Sequence, residues 1–164
     1  MRAVREREPG NEWQTLWFST RKSAWSSLAL VPSDGDVDVG RAAAHLVEAG
    51  LLHGERPVSL MDAQGIHLSN VQPFLDRLVD LVRRGEWVIV TVDSLQNNPA
   101  GLPIVRATSC ALLVVRLGCS LLDSARSTIE ALGRERLLGS VVIDVPHGSA
   151  AQHPSPLHEL SAGR

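Results

Sequence analysis

Tyrosine is absent from the 164 residues, and lysine occurs once, at Lys22, against fifteen arginines. No tyrosine of this chain can therefore be phosphorylated. The single ammonium precedes the first apolar run, so a later loop can meet an anion only through guanidinium groups or backbone N–H. Cysteine is scarce, and Cys110 and Cys119 lack a C-x-x-C spacing. Cys110 lies inside an apolar run, which favours a buried reduced thiol over a disulfide. No apolar stretch approaches the roughly 20 residues of a membrane span. No signal-peptide pattern opens the chain, whose residues 1–10 form a charged run. The expected location is the cytoplasm, with no direct membrane insertion. Charge of one sign is also missing. A net charge of −2 gives no reason to expect nucleic acid or an anionic membrane as partner.

With 44% hydrophobic and 21% charged residues the composition is that of a globular chain. One domain of this length buries roughly 70% of its unfolded surface. Short continuous apolar runs recur at 27–31, 58–61, 87–92, 110–115 and 138–143, three of them followed or ended by Asp62, Asp93 and Asp144. Runs apolar on both faces belong to parallel strands covered by helices on each side. Helical spacing fills the intervals at 41–52, 70–84 and 121–134, and Gly54 is placed to end the first of these. Ser120 with Asp123 forms a possible capping pair for the last. An earlier amphipathic helix is predicted over 12–24, with Trp13 and Trp17 one turn apart. The pattern predicts a doubly wound α/β domain with a mainly parallel sheet of five or more strands. It spans 12–145, between an arm at 1–11 and a Pro/Ser/Gly-rich tail at 146–164. Ligands of such sheets bind beyond the carboxyl ends of the strands, where Asp62, Thr91, Asp93, Arg116 and the loop 33–40 would gather.

That loop, Gly35-Asp36-Val37-Asp38-Val39-Gly40-Arg41-Ala42, keeps the G-x-x-x-x-G spacing of a phosphate-binding loop between a strand and a helix. Its chemistry differs. Arg41 stands where Lys is required, and Ala42 where a hydroxyl would hold Mg²⁺. Asp36 and Asp38 bring negative charge to a place that phosphates would occupy. Unit charges 4 Å apart interact by about 4 kcal/mol at an effective dielectric of ~20. One misplaced carboxylate can thus cost on the order of a thousandfold in phosphate affinity. As alternatives, Gly35 and Gly40 can be turn glycines of an unrelated doubly wound domain, and the strand-end aspartates can be caps or turn formers. The D-x-D-x-D run lacks the Glu that closes a calcium loop. His147, His153 and His158 fit no zinc spacing. No serine has the setting of a nucleophile elbow.

The order of elements resembles the cytoplasmic P-loop domain of bacterial tyrosine kinases that control capsule and exopolysaccharide synthesis, relatives of the Min/Par-type ATPases with a deviant Walker A loop. The resemblance rests on Trp13–Leu16, the loop 33–42, Val58-Ser59-Leu60-Met61-Asp62-Ala63, Trp87–Val90, Leu112–Gly118 and Leu138–Asp144. It implies that the P-loop Lys falls on Arg41, its hydroxyl residue on Ala42, and the additional lysine of deviant loops on Asp36. A second acidic motif keeps Asp62 and has Gln64 for its companion. The Walker B aspartate falls on Thr91, or on Asp93 after a two-residue slip. The base-contacting Asn falls on Asp144. Gln14 and Trp17 stand where the family's ring-assembly segment carries arginines.

The reading is a catalytically inactive pseudo-ATPase, without cofactor or metal, that regulates or scaffolds polysaccharide synthesis or export. The expected partner is a protein, by resemblance a membrane-embedded chain-length or export component, which would hold the chain at the inner membrane indirectly. Trp13 and Trp17 are the candidate partner-binding surface. Two alternatives stand beside this: an active nucleotide-binding ATPase that uses ATP and Mg²⁺ through Arg41 and Asp62, and a Min/Par-like positioning protein.

Overall fold

A computed structural model describes residues 10–118 and 122–143. Cys119, Ser120, Asp144 and the three tail histidines lie outside the described residues. Five strands, β1 (Ser27–Pro32), β2 (Val58–Asp62), β3 (Trp87–Thr91), β4 (Cys110–Arg116) and β5 (Leu137–Ile143), form one parallel sheet in the order β2-β3-β1-β4-β5. The connecting helices are α1 (Asn11–Thr20), α2 (Val39–His53), α3 (Val71–Arg83), α4 (Gly101–Ala107) and α5 (Leu122–Leu132).

Alternation along the buried strands divides the core in two. Leu28 and Leu30 of β1, Ile89 of β3, and Leu112 and Val114 of β4 pack with Trp17 of α1 and with Ala42, Ala43, Leu46 and Ala49 of α2. The intervening Ala29, Val31, Val88, Val90 and Ala111 pack on the other face with Leu78 of α3, Ile104 and Val105 of α4, and Leu132 of α5. The chain moves outward from β1 to β2 through α2, then reverses through α3, and the covering helix changes face at that reversal. A constant crossover hand requires this. The doubly wound parallel sheet is therefore as the apolar runs predict, while α4 is an added element. Its seven residues are too few to show a helical period, and Pro103 sits in its first turn, where a missing N–H is harmless.

Gly54 ends α2 with extended rather than left-handed backbone, φ −83° and ψ 144°. A closer steric demand falls on Gly50. A Cβ there would lie 2.8 Å from the Trp17 indole and 2.9 Å from Val58 Cγ2. Glycine at this position lets α1 cross α2 with the indole flush against backbone. Trp17 is 1% exposed and meets Trp25 and Trp87 edge-on, with ring centroids 5.9 and 5.5 Å away.

Candidate functional site

β1 is central, with β3 on one side and β4 on the other, so the loop 33–38 emerges at the reversal of strand order. Crevices for ligands open at such points. Ser33 N donates to Val114 O at 2.9 Å, and the buried Val37 and Val39 anchor the loop into the core from its far side. Ala42 is also core. Between these anchors the polar atoms bond chiefly to one another. Asp34 Oδ1 accepts from Asp36 N at 3.1 Å, and Arg116 Nη1 donates to Asp36 O at 3.1 Å.

Asp38 decides the character of the loop. It is the N-cap of α2, and its Oδ1 accepts from Gly40 N at 3.0 Å and Arg41 N at 3.3 Å. Helix N-terminal N–H groups, with the helix dipole behind them, are what a phosphate would need. Here the protein's own carboxylate holds them. Arg41 is exposed, and no hydrogen bond or ion pair engages its guanidinium among the described residues. Neither Gly35 nor Gly40 has positive φ, so their need is for space. A Cβ at Gly35 would collide with the Asn97 amide, and one at Gly40 would touch Asp38 Oδ1 at 3.4 Å and Gln64 Oε1 at 3.6 Å.

The neighbouring strand ends complete the rim. β3 ends at Thr91, level with Leu30 of β1 and Asp62 of β2. The buried Thr91 hydroxyl donates to Asp62 Oδ1 at 2.8 Å, and Gln64 N donates to the same oxygen at 2.9 Å. Asp93 lies beyond the strand and ties loops together. It accepts from Gly65 N at 2.7 Å and from Asn98 Nδ2 at 3.0 Å, while Asn98 Nδ2 also donates to Ile66 O. Thr91 rather than Asp93 thus occupies the strand end. Asn97 and Asn98 were not foreseen as rim residues. Their only sequence signal is the turn-forming Asn-Pro step at 98–99. No three metal-liganding side chains converge among the described residues.

The chimerical protein CapA2B2 superposes with a TM-score of 0.68 at 12% identity, over 87% of this chain and 87% of its own. The kinase domain of the Escherichia coli tyrosine kinase ETK superposes with a TM-score of 0.63 at 13% identity, over 94% of this chain and 89% of its own. The fold is thus similar to those of these two structures. No family model and no curated protein matches the sequence. The rim just described lies where the loop after β1 reaches into the crevice of this sheet.

Trp17 requires a correction. As a core indole it cannot be a partner-binding side chain, because crossing α2 at Gly50 turns it inward. Trp13, four residues earlier, is half-buried and stacks on His45 with centroids 5.3 Å apart. Trp13, Leu16 and Glu12 of α1 face Ser140–Ile143 of the edge strand β5 across an open groove of about 490 Å³. No helix among the described residues is long and apolar enough to cross a membrane.

Proposed function

We propose that this chain is a catalytically inactive P-loop-like domain that acts by binding, as a regulatory or scaffolding partner in polysaccharide synthesis or export. The observation that carries the reading is the Asp38 carboxylate on the N–H groups of Gly40 and Arg41. A Mg²⁺–nucleotide would need those donors, a lysine and a hydroxyl. The loop instead presents Asp34, Asp36 and Asp38, with Arg41 in the lysine's place and the buried methyl of Ala42 in the hydroxyl's. The residues present do not fit that group. The second support is the likeness of the fold to ETK's kinase domain beside a chain that contains no tyrosine.

What remains at the rim is an exposed acidic loop held by local hydrogen bonds. A basic segment of a protein partner complements it in charge, and a membrane-embedded chain-length or export component fits the resemblance. Of the two indoles of α1, Trp13 is the one left for such a contact. Titration calorimetry with ATP and with ADP, with and without Mg²⁺, tests the reading. No saturable heat is expected, and micromolar binding accompanied by phosphate release would overturn it.

A further inference from the structure

The opposite end of the sheet carries a different surface. In an all-parallel sheet the strands start together, and the helices that return to them finish there. α1 and α2 accordingly bring Phe18, Leu51 and Leu52 to this end, and they are 53%, 60% and 53% exposed. The Phe18 and His53 ring centroids are 5.0 Å apart, so the ends of the two helices are neighbours. Next to them stand the cations. Arg21 lies 4.1 Å and Arg56 5.7 Å from the Trp87 ring centroid, which holds the two guanidinium groups within about 10 Å of each other. Neither forms an ion pair among the described residues. Burial and the nearby Arg56 both lower the pKa of Arg21. Lys22 and Arg83 are exposed at the same end.

Carboxylates are fewer here and partly engaged. Asp80 pairs with Arg84 at 2.5 Å, Glu86 accepts from Ser59, and Glu55 is exposed beside Arg56. Further along, Arg106, Arg134 and Arg136 stand with Glu130 and Glu135. The net charge of −2 therefore conceals a polarised molecule, with aspartates at the C-terminal rim and cations at the N-terminal end. Exposed Phe and Leu bordered by Lys and Arg is the pairing that an anionic bilayer surface takes up, acyl boundary against the apolar groups and headgroups against the cations. A soluble polyanion would satisfy the cations and leave Phe18, Leu51 and Leu52 in water.

We infer that the N-terminal end of the sheet, built on Phe18, Leu51, Leu52, Lys22, Arg21 and Arg56, is a docking surface for an anionic lipid bilayer. The inference is independent of the state of the phosphate loop. Co-sedimentation of the full chain with phosphatidylcholine vesicles, with and without phosphatidylglycerol, tests it. Binding is expected only with phosphatidylglycerol, and added salt should weaken it. Lys22→Glu with Arg56→Glu should lower affinity by roughly tenfold or more, since each cation near such a surface is worth about fivefold. Leu51→Ser with Leu52→Ser should lower it severalfold at constant charge. Arg77→Glu with Arg126→Glu, the same change in net charge elsewhere, should leave it unchanged. Thermal melts establish that each variant is folded, and Arg83→Glu replaces Arg56→Glu if that pair melts early. Equal binding to phosphatidylcholine alone, or no binding to the mixed vesicles, overturns the proposal. So does an equal loss in both charge variants. Undiminished binding by the Leu51/Leu52 variant together with competition by heparin would assign the surface to a soluble polyanion instead.

Discussion

The two ends of the sheet are held by different physics. At the N-terminal end, Trp17, Trp25 and Trp87 lie edge to face or tilted against one another, with Arg21 across two of the rings. The Trp25 indole N–H is satisfied by Thr20 O at 3.0 Å. Dispersion and apolar burial dominate there, and the polar atoms are few and paired. At the C-terminal rim, the carboxylates of Asp34, Asp38, Asp62 and Asp93 bond to backbone N–H, hydroxyl and amide groups of their own and neighbouring segments. Those bonds are largely exposed or only part-buried, so each contributes little net stability. One end fixes the domain, and the other is free to change its chemistry at small cost to the fold. That explains how the sheet can stand while the loop after β1 carries three aspartates.

The comparison breaks first at Trp17. Trp17→Ala should destabilise by about 3–5 kcal/mol, the range for a fully buried large aromatic, read as a lower urea midpoint. A loss below ~1 kcal/mol would mean that the indole is not core, and would return it to the partner surface. Trp13→Ala, on the half-buried side of the same helix, should cost less than half as much. The next largest effect is at Gly50. Alanine normally improves a helix interior by roughly 1 kcal/mol over glycine. Here its methyl would strike both the Trp17 ring and Val58, so Gly50→Ala should destabilise by about 1–3 kcal/mol. A gain in stability would show that the crossing of α1 over α2 is looser than the 2.8 Å approach requires.

The rim should respond more weakly. Asp38→Ala removes an N-cap and should cost about 0.5–2 kcal/mol, whereas Asp38→Asn, which still accepts from N–H, should cost less. Urea titration of both variants separates the cap from the charge. A loss larger than that of Trp17→Ala would reverse the ranking of the two ends.

Much of the sheet was legible because strands buried on both faces must be apolar throughout. All five runs fell on strands, with boundaries moving by about one residue. Helix α4 was illegible for a physical reason: Ile104 and Val105 bury it, but seven residues hold no repeating period. The rim was legible as a set, since a parallel sheet collects its strand ends. Its wiring was not. Nothing in the spacing of Asp38, Asp62 and Asp93 says that each would bind backbone, because that depends on the path of turns only a few residues long. Trp13 and Trp17 show the same limit: one turn apart and both against α2, one is half-buried and the other fully buried. The basic end was concealed by a net charge that sums over both ends of the molecule.

Cys110 gives the weakest perturbation and a direct measure of how dry the aromatic end is. Burial raises its thiol from the ordinary 9.0 to about 11, with Arg21 opposing the shift. The folded state then holds its proton at pH values where the unfolded chain has released it. Stability from this group is complete below pH 9, declines as pH rises from 9 through 11, and is absent above that. At neutral pH no effect is expected. In a Cys119→Ser background, alkylation by iodoacetamide should be slow below pH 9 and accelerate only toward pH 11, because the thiolate is the nucleophile. The urea midpoint should fall over the same interval, and less so in Cys110→Ala. An alkylation midpoint near 9 would mean that water reaches the start of β4. The N-terminal end would then be no drier than the rim, and the contrast between packing at one end and hydrogen bonds at the other would rest on the indoles alone.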